Sequence, residues 1–290
     1  MPHANFQVGD LTAVIGDNSA EGEHRAGYNG VWSLKHRTGR RSLFVPSVAG
    51  LNHEHIFDGQ ADDSTEVFFE PRYAPMEFRK ISDHEAELHQ PPTPTFQLES
   101  WTRFTLVEPH YIDMAYRCLP HQHAFENGYI GLFWASYINA PDDKSMYFRG
   151  GLEGSAEVTW MQLCTQRHND ESTVVHPSDQ LGLTFRPDYR AALYRNFSPM
   201  RYDLPMFYGL FDDHIWITMF RSHAGIRLTH SPSGGGLNPE RQTTNPAWDF
   251  QFIVPEYDVN QEYGFQLRAV FRPRCSREEV LEEYRRWMGE

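Results

Sequence analysis

Residues 129–139, YIGLFWASYIN, carry the pattern that decides the fold class. Apolar side chains occupy both alternating positions, so neither face of the extended chain is polar. Such a pattern predicts a strand that is covered on both faces, as in the interior of a β-sandwich. The odd spacing within the strand places Trp134 on the face opposite to Tyr137 and Asn139.

On both sides of this stretch, short alternating runs are separated by Gly, Pro, Asn and Asp. Residues 96–107 and 111–119 predict a long hairpin around Glu108-Pro109-His110. Residues 205–211 and 214–221 predict a second hairpin. No alternation of strands and helices is visible, which argues against a doubly wound parallel sheet.

The clearest helix signal comes at the C-terminus. Ser276 can cap the helix, and Glu279 three residues later completes a capping box. Val280, Tyr284 and Trp287 then recur at helical spacing and form one apolar face. The sequence therefore predicts a short C-terminal helix.

Two shorter runs, residues 42–48 and 66–73, are also predicted strands. With no linker dividing the chain, residues 1–290 are predicted to form a single domain. The fold class is all-β, a large antiparallel β-sandwich with a short C-terminal helix.

Composition limits the classes of partner. Asp and Glu number 39 against 26 Lys and Arg, a net charge of −13 that repels phosphate backbones, so we expect no nucleic-acid partner. No apolar run reaches the length of a membrane span. Cys118, Cys164 and Cys275 are far apart and form no CxxC motif, which is typical of reduced thiols in a cytoplasmic protein. The oligomeric state is not indicated.

Residues 51–59, LNHEHIFDG, hold two histidines around a glutamate. In a regular strand, residues two apart point the same way, so His53 and His55 could face one cleft. A metal site, an acid–base site and a polar loop are all open interpretations. His121-Gln122-His123 repeats the pattern. Since a cupin-like glycine-rich motif is missing, we expect no metal and no cofactor.

Three segments carry a resemblance to a known fold: LFWASYINAP at 132–141, Asn245-Pro246-Ala247-Trp248, and EYGFQLRAVF at 262–271. Their order resembles the galactose-mutarotase-like supersandwich of aldose epimerases, many polysaccharide lyases and several glycosidase subdomains. The resemblance implies a carbohydrate-active protein. Aldose epimerases use histidines and a late glutamate, and the nearest acidic residues in the late strands here are Asp249 and Glu256.

The predicted function is an enzyme that acts on a sugar or uronate by His/Tyr acid–base chemistry, either an aldose epimerase-like isomerase or a polysaccharide or oligosaccharide lyase. An arginine would neutralise a uronate carboxylate, and a tryptophan would stack on a sugar ring. The predicted catalytic residues are His55, Tyr137 and His230, and the predicted substrate-binding residues are Arg103, His110, Asn139 and Trp248. The alternatives are a non-catalytic carbohydrate-binding module and a metal-dependent cupin-like enzyme.

Overall fold

The computed structural model describes residues 1–61, 64–167, 170–189 and 192–290. Within these ranges most of the regular structure is β. The strands are β1 (His3–Val8), β2 (Leu11–Gly16), β3 (Gly30–His36), β4 (Asn52–Phe57), β5 (Glu77–Lys80), β6 (Glu85–Gln90), β7 (Leu98–Val107), β8 (Tyr111–Pro120), β9 (Ile130–Ala135), β10 (Met146–Leu152), β11 (Thr159–Leu163), β12 (Thr173–Val175), β13 (Phe197–Tyr202), β14 (Met206–Phe211), β15 (His214–Phe220), β16 (Ile226–Ser231), β17 (Leu237–Asn238), β18 (Thr243–Thr244), β19 (Ala247–Val254) and β20 (Tyr263–Pro273). The α-helices are α1 (Thr65–Phe68), α2 (Glu70–Tyr73) and α3 (Arg277–Met288), and Ala192–Tyr194 form a 3₁₀ turn.

The strands form one large sheet and two small ones. The large sheet runs in the order β4-β9-β19-β16-β12-β13-β10-β14-β15-β20-β8-β7-β6-β5, with β11 paired to β10. A small sheet holds β1-β2-β3, and another holds β17 and β18. Neighbouring strands pair antiparallel except β12 and β13, which pair parallel. Both predicted hairpins, β7–β8 and β14–β15, are confirmed.

The large sheet folds back on itself around the main core. Trp134 of β9 contacts Phe265 of β20 with ring centroids 5.0 Å apart, although these strands lie far apart in the sheet order. Such a contact between distant strands is the packing of one sheet layer on another. The all-β sandwich predicted from the sequence is confirmed.

Strand β9 is covered on both faces, as its sequence predicts. All six of its residues are buried. Trp134 packs into the main core, while Phe133 packs into a second cluster on the other side of the sheet. Tyr137 lies beyond the end of the strand on the same side as Phe133, opposite to Trp134.

Two short predicted strands were wrong. Residues 42–48 make only an isolated bridge from Phe44 to Ile138 and then turn at Ser47, whose φ is 72°. Residues 66–73 form α1 and α2 instead of a strand. In a strand Phe68 and Phe69 would point in opposite directions, whereas the helical backbone lets both rings contact His55, at 4.2 and 4.5 Å.

The C-terminal helix α3 begins with the predicted capping box. The Ser276 hydroxyl accepts a hydrogen bond from the backbone N–H of Glu279 at 3.2 Å, and the Glu279 carboxylate accepts one from the Ser276 N–H at 2.9 Å. Val280, Tyr284 and Trp287 are buried against β15 and β20. Within the described ranges, none of the helices has the length and apolarity needed to cross a bilayer.

Candidate functional site

A β-bulge at Glu54 sorts the two histidines of β4 onto opposite faces of the sheet. His53 pairs with Trp134 and His55 pairs with Phe133, so Glu54 is the extra residue. The His53 ring stacks on Trp134 at 4.7 Å, and the His55 ring stacks on Phe133 at 4.9 Å. Because Phe133 and Trp134 are successive residues of β9, their side chains point in opposite directions. The expectation that both imidazoles face one cleft is therefore wrong.

We name the two faces of β4, β9 and β19 by these rings. The inner face carries Trp134 and packs into the main core. The outer face carries Phe133 and is covered by α1, α2 and the segment from Leu181 to Tyr189. A covered outer face is where polar side chains in this sheet require partners.

The outer face holds a buried group of ionisable side chains around Glu54. The Glu54 carboxylate accepts a hydrogen bond from the Tyr137 hydroxyl at 2.5 Å and another from Nη1 of Arg72 at 3.2 Å. Its second oxygen lies 3.9 Å from Nε2 of His55. We call Glu54, His55, Arg72, Tyr137 and Asp249 the Glu54 cluster. It joins two strands, a helix and the chain after β9 at one point.

Burial controls the protonation of Glu54 and Tyr137. Desolvation raises the pKa of Glu54 above its usual value, while Arg72 and the Tyr137 hydrogen bond act in the opposite direction. Desolvation and the neighbouring Glu54 charge raise the pKa of Tyr137 well above its usual value. The arginine is held in place by stacking on Tyr28, 4.1 Å from the ring centroid. Tyr137 is thus a proton donor to a carboxylate whose affinity for a proton is increased.

Asp249 of β19 is the second carboxyl group of the cluster. It is 1% exposed, and it accepts hydrogen bonds from the Ser136 backbone N–H at 3.0 Å and the Ser231 hydroxyl at 3.2 Å. Desolvation, with a further contribution from the Glu54 charge, raises the pKa of Asp249 well above its usual value. Between the strands that carry the two carboxyl groups, β9 presents the small side chain of Ala135. The outer face therefore holds a carboxyl group favouring its neutral form near a carboxylate paired to arginine.

The cluster is covered in the structure. The Tyr194 hydroxyl is hydrogen-bonded to Nδ1 of His55, and the rings of Phe68 and Phe69 close over that histidine. The glycine-rich segment after β16 covers Tyr137. A methyl group added to Gly234 would lie 3.2 Å from the Tyr137 ring, so this close approach depends on glycine.

Among the predicted catalytic residues, His55 and Tyr137 both contact Glu54, whereas His230 lies elsewhere. His230 is fully buried on the inner side, with Nδ1 2.8 Å from the Thr165 hydroxyl and Nε2 donating to the Lys144 carbonyl at 2.8 Å. Trp248, predicted to stack on a sugar, is also fully buried there and donates to the same carbonyl. Neither side chain reaches the outer face, so neither belongs to the Glu54 cluster, and their roles in catalysis and in stacking on a sugar stay predictions.

Three predicted substrate-binding residues lie away from the cluster. Arg103 lies on the surface of β7 and pairs with Glu87 at 2.7 Å. His110 lies 3.9 Å from Glu283 of α3. Asn139 bonds Asn238 and the Ser42 carbonyl in the loops beyond β9. Their contact with substrate stays a prediction. The three side chains do not lie together at one site.

Sequence reasoning did not give a role to Glu54, Arg72 or Asp249. Glu54 was visible between the two histidines, but its contact with Tyr137, 83 positions later in the chain, was not. Arg72 fell in a segment predicted as a strand. Asp249 is one of the acidic residues of the late strands, but the sequence does not show that it is buried beside Ser136. Across the described ranges, no group of three or more His, Cys, Asp and Glu side chains is arranged to hold a metal ion.

The architecture is shared with solved structures of aldose epimerase homologues. An aldose 1-epimerase homologue from Escherichia coli K12 matches with a TM-score of 0.53 and 8% identity, over 94% of this chain and 99% of that one. A GalM/aldose epimerase homologue from C. elegans matches with a TM-score of 0.52 and 9% identity, over 94% of this chain and 100% of that one. No protein-family model and no curated protein sequence matches the chain. The chain has the galactose-mutarotase-like fold, as its sequence predicted.

Proposed function

We propose that this protein is a carbohydrate-active enzyme of the aldose epimerase type, with the Glu54 cluster as its acid–base site. The observation that carries the proposal is the pair of buried carboxyl groups on one sheet face, one bonded to an arginine and the other to a backbone N–H and a serine hydroxyl. Glu54 is paired with Arg72, and Asp249 is buried with hydrogen bonds but favours its neutral form. Two carboxyl groups in different surroundings are the usual acid and base of sugar chemistry. The shared fold with aldose epimerase homologues supports the substrate class.

The proposed reaction exchanges the two anomers of a sugar through its open-chain form. Glu54 removes the proton of the anomeric hydroxyl, and Asp249 donates its proton to the ring oxygen. The bond between the anomeric carbon and the ring oxygen breaks, and the anomeric carbon becomes a carbonyl. After rotation about the bond to the next carbon, the same steps in reverse close the ring and restore both protons. No other reactant is consumed.

The remaining residues of the cluster act through Glu54. Tyr137 and Arg72 orient its carboxylate by hydrogen bonds of 2.5 and 3.2 Å. His55 lies 3.9 Å from the other oxygen, so it can exchange a proton with Glu54 only after one of the two side chains moves closer. We therefore treat Tyr137 and Arg72 as positioning residues and His55 as a second proton carrier.

An isomerase fits the cluster better than a lyase does. Elimination from a uronate requires a cation to neutralise the substrate carboxylate. The cation of the cluster, Arg72, is already paired with Glu54 and stacked on Tyr28. A neutral aldose has no carboxylate, so its isomerisation does not require a free cation in the cluster.

A sugar can reach the cluster only when its cover moves. The side chain of Glu54 is 5% exposed, and the segment at Gly234 and Gly235 lies against Tyr137. Glycine-rich loops move at low cost because they make few side-chain contacts. We propose that displacement of this segment admits the substrate.

The test is anomer exchange, followed by NMR for a panel of aldoses at pH 7. The wild type should accelerate exchange of at least one sugar, and Asp249→Asn should reduce the rate by about 10²–10⁴-fold, the usual contribution of general acid catalysis. Asp113→Asn is the matched control, because Asp113 pairs with Arg268 on the far side of the molecule. Exchange at the spontaneous rate with every sugar would overturn the proposal, and sugar binding without exchange would indicate a binding module.

A further inference from the structure

A groove is lined by residues of β7, β8 and β20, of the turn after β15 and of the end of β19, and by none of the Glu54 cluster. Its volume is about 1040 Å³, and apolar atoms form most of its lining. The small residues Ala115 and Gly264 form part of its floor, and the aromatic residues Trp101 and Tyr263 also line it. Ligand sites of this kind combine an apolar surface with a few fixed polar groups.

Two residues that line the groove, Trp101 and Arg117, belong to a stack of three planar side chains. The His89 ring lies parallel to Trp101, 5.3 Å away, and the Arg117 guanidinium lies 3.8 Å from the Trp101 ring centroid. Both faces of the indole are therefore occupied. Stacking holds the guanidinium flat, so its N–H groups are oriented before a ligand arrives. Arg117 also pairs with Glu262 at 2.8 Å.

The groove carries no net formal charge. Three arginines and three glutamates line it: Arg103, Arg117, Arg221, Glu87, Glu256 and Glu262. The Arg103–Glu87 pair is 2.7 Å long, and both it and the Arg117–Glu262 pair reach solvent. Such pairs offer fixed donors and acceptors side by side but little attraction for an anion. A ligand rich in hydroxyl groups and without charge is complementary to this lining.

We propose that this groove binds a neutral oligosaccharide, at a second carbohydrate site distinct from the Glu54 cluster. The ligand class rests on the carbohydrate assignment in the proposed function. The volume exceeds what a single sugar ring requires, and the apolar floor suits the C–H faces of several rings. Leu181 and Ile253 line the groove and also belong to the hydrophobic cluster on the outer face. The groove and the Glu54 cluster therefore both border that hydrophobic cluster.

The experiment is titration calorimetry with neutral hexasaccharides of glucose, galactose, mannose or xylose, beside a hexagalacturonate. The wild type should bind at least one neutral hexasaccharide and prefer it to the uronate. Arg117→Ala should weaken this binding by about tenfold or more, the effect of losing about one hydrogen bond to a charged group. Arg149→Ala is the matched control, since Arg149 also forms a surface ion pair, with Asp203 at 3.1 Å, but on β10, whose residues do not line the groove.

Ala115→Trp provides a second variant that fills the groove without touching the core, because Ala115 faces outward. It should abolish hexasaccharide binding while leaving exchange of a monosaccharide unchanged. Glu54→Gln should do the reverse, losing exchange and keeping hexasaccharide binding. The groove proposal is overturned if no neutral hexasaccharide binds, if the uronate binds more tightly, or if Arg117→Ala and Ala115→Trp bind like the wild type.

Discussion

The inner and outer faces of β4, β9 and β19 carry similar residue types but differ in chemistry. On the inner face, His53 lies among aromatic rings, and desolvation lowers its pKa to about 3. On the outer face, one residue along the chain, Glu54 is bonded to Arg72 and Tyr137. The inner face therefore surrounds a neutral histidine, whereas the outer face holds the ion pair of Glu54 and Arg72.

The difference shows that a histidine-rich motif gains its chemistry from its partners. His53 and His55 are two residues apart, yet the bulge gives one a packing role and brings the other to a carboxylate. His230 and Trp248 are further examples, since both donate a hydrogen bond to the Lys144 carbonyl on the inner side. Three variants test this division, beginning with the largest expected effect.

Arg72→Met should destabilise the protein most. It leaves the Glu54 carboxylate buried without its cation, which costs about 3–5 kcal/mol for a buried pair broken on one side. Urea unfolding at pH 7 measures this loss. The double variant with Glu54→Gln should recover much of the stability, because no unpaired charge then remains. An Arg72→Met protein as stable as the wild type would show that the outer face does not hold an ion pair.

His53→Phe should change how stability depends on pH. The pKa of His53 is about 3 in the folded state against 6.5 in the unfolded state, so the unfolded chain binds the extra proton. The contribution of neutral His53 is therefore present above pH 6.5 and is lost as the pH falls toward 3, by about 3 kcal/mol at pH 4.5.

The variant should lack this loss, so its unfolding free energy should fall less than that of the wild type between pH 7 and 4.5. Chemical unfolding at several pH values provides the comparison. Parallel curves for the two proteins would mean that His53 is protonated in the folded state, against the description of the inner face.

His230→Phe should have the smallest effect. It removes hydrogen bonds to Thr165 and the Lys144 carbonyl, which costs about 1–2 kcal/mol of stability. Because His230 lies on the inner side, the exchange rate of a sugar should stay within about threefold of the wild type. A loss of exchange as large as that of Asp249→Asn would restore His230 to the catalytic site.

Much of the fold could be predicted from the sequence. Alternation and turn residues gave the hairpins β7–β8 and β14–β15, and the capping box gave α3. Local patterns of this kind depend on residues close in the chain, which a sequence displays directly.

The site was less accessible to sequence reasoning. The outer face depends on a single extra residue in β4, which reverses the direction of His55 relative to regular alternation. It also depends on Arg72 of α2 and Asp249 of β19, which are 18 and 195 positions from Glu54 along the chain. Contacts between residues so far apart are set by tertiary packing and leave no local pattern.

The central claim is that the two neighbours Glu54 and His53 serve different functions because they face opposite sides of one sheet. The most direct measurement is the rate of aldose anomer exchange for Glu54→Gln and His53→Phe, at a temperature where circular dichroism shows both variants folded. Glu54→Gln should lose about 10²–10⁴-fold in rate, and His53→Phe should stay within about threefold of the wild type. A Glu54→Gln protein with the wild-type rate, or equal losses in the two variants, would contradict the account.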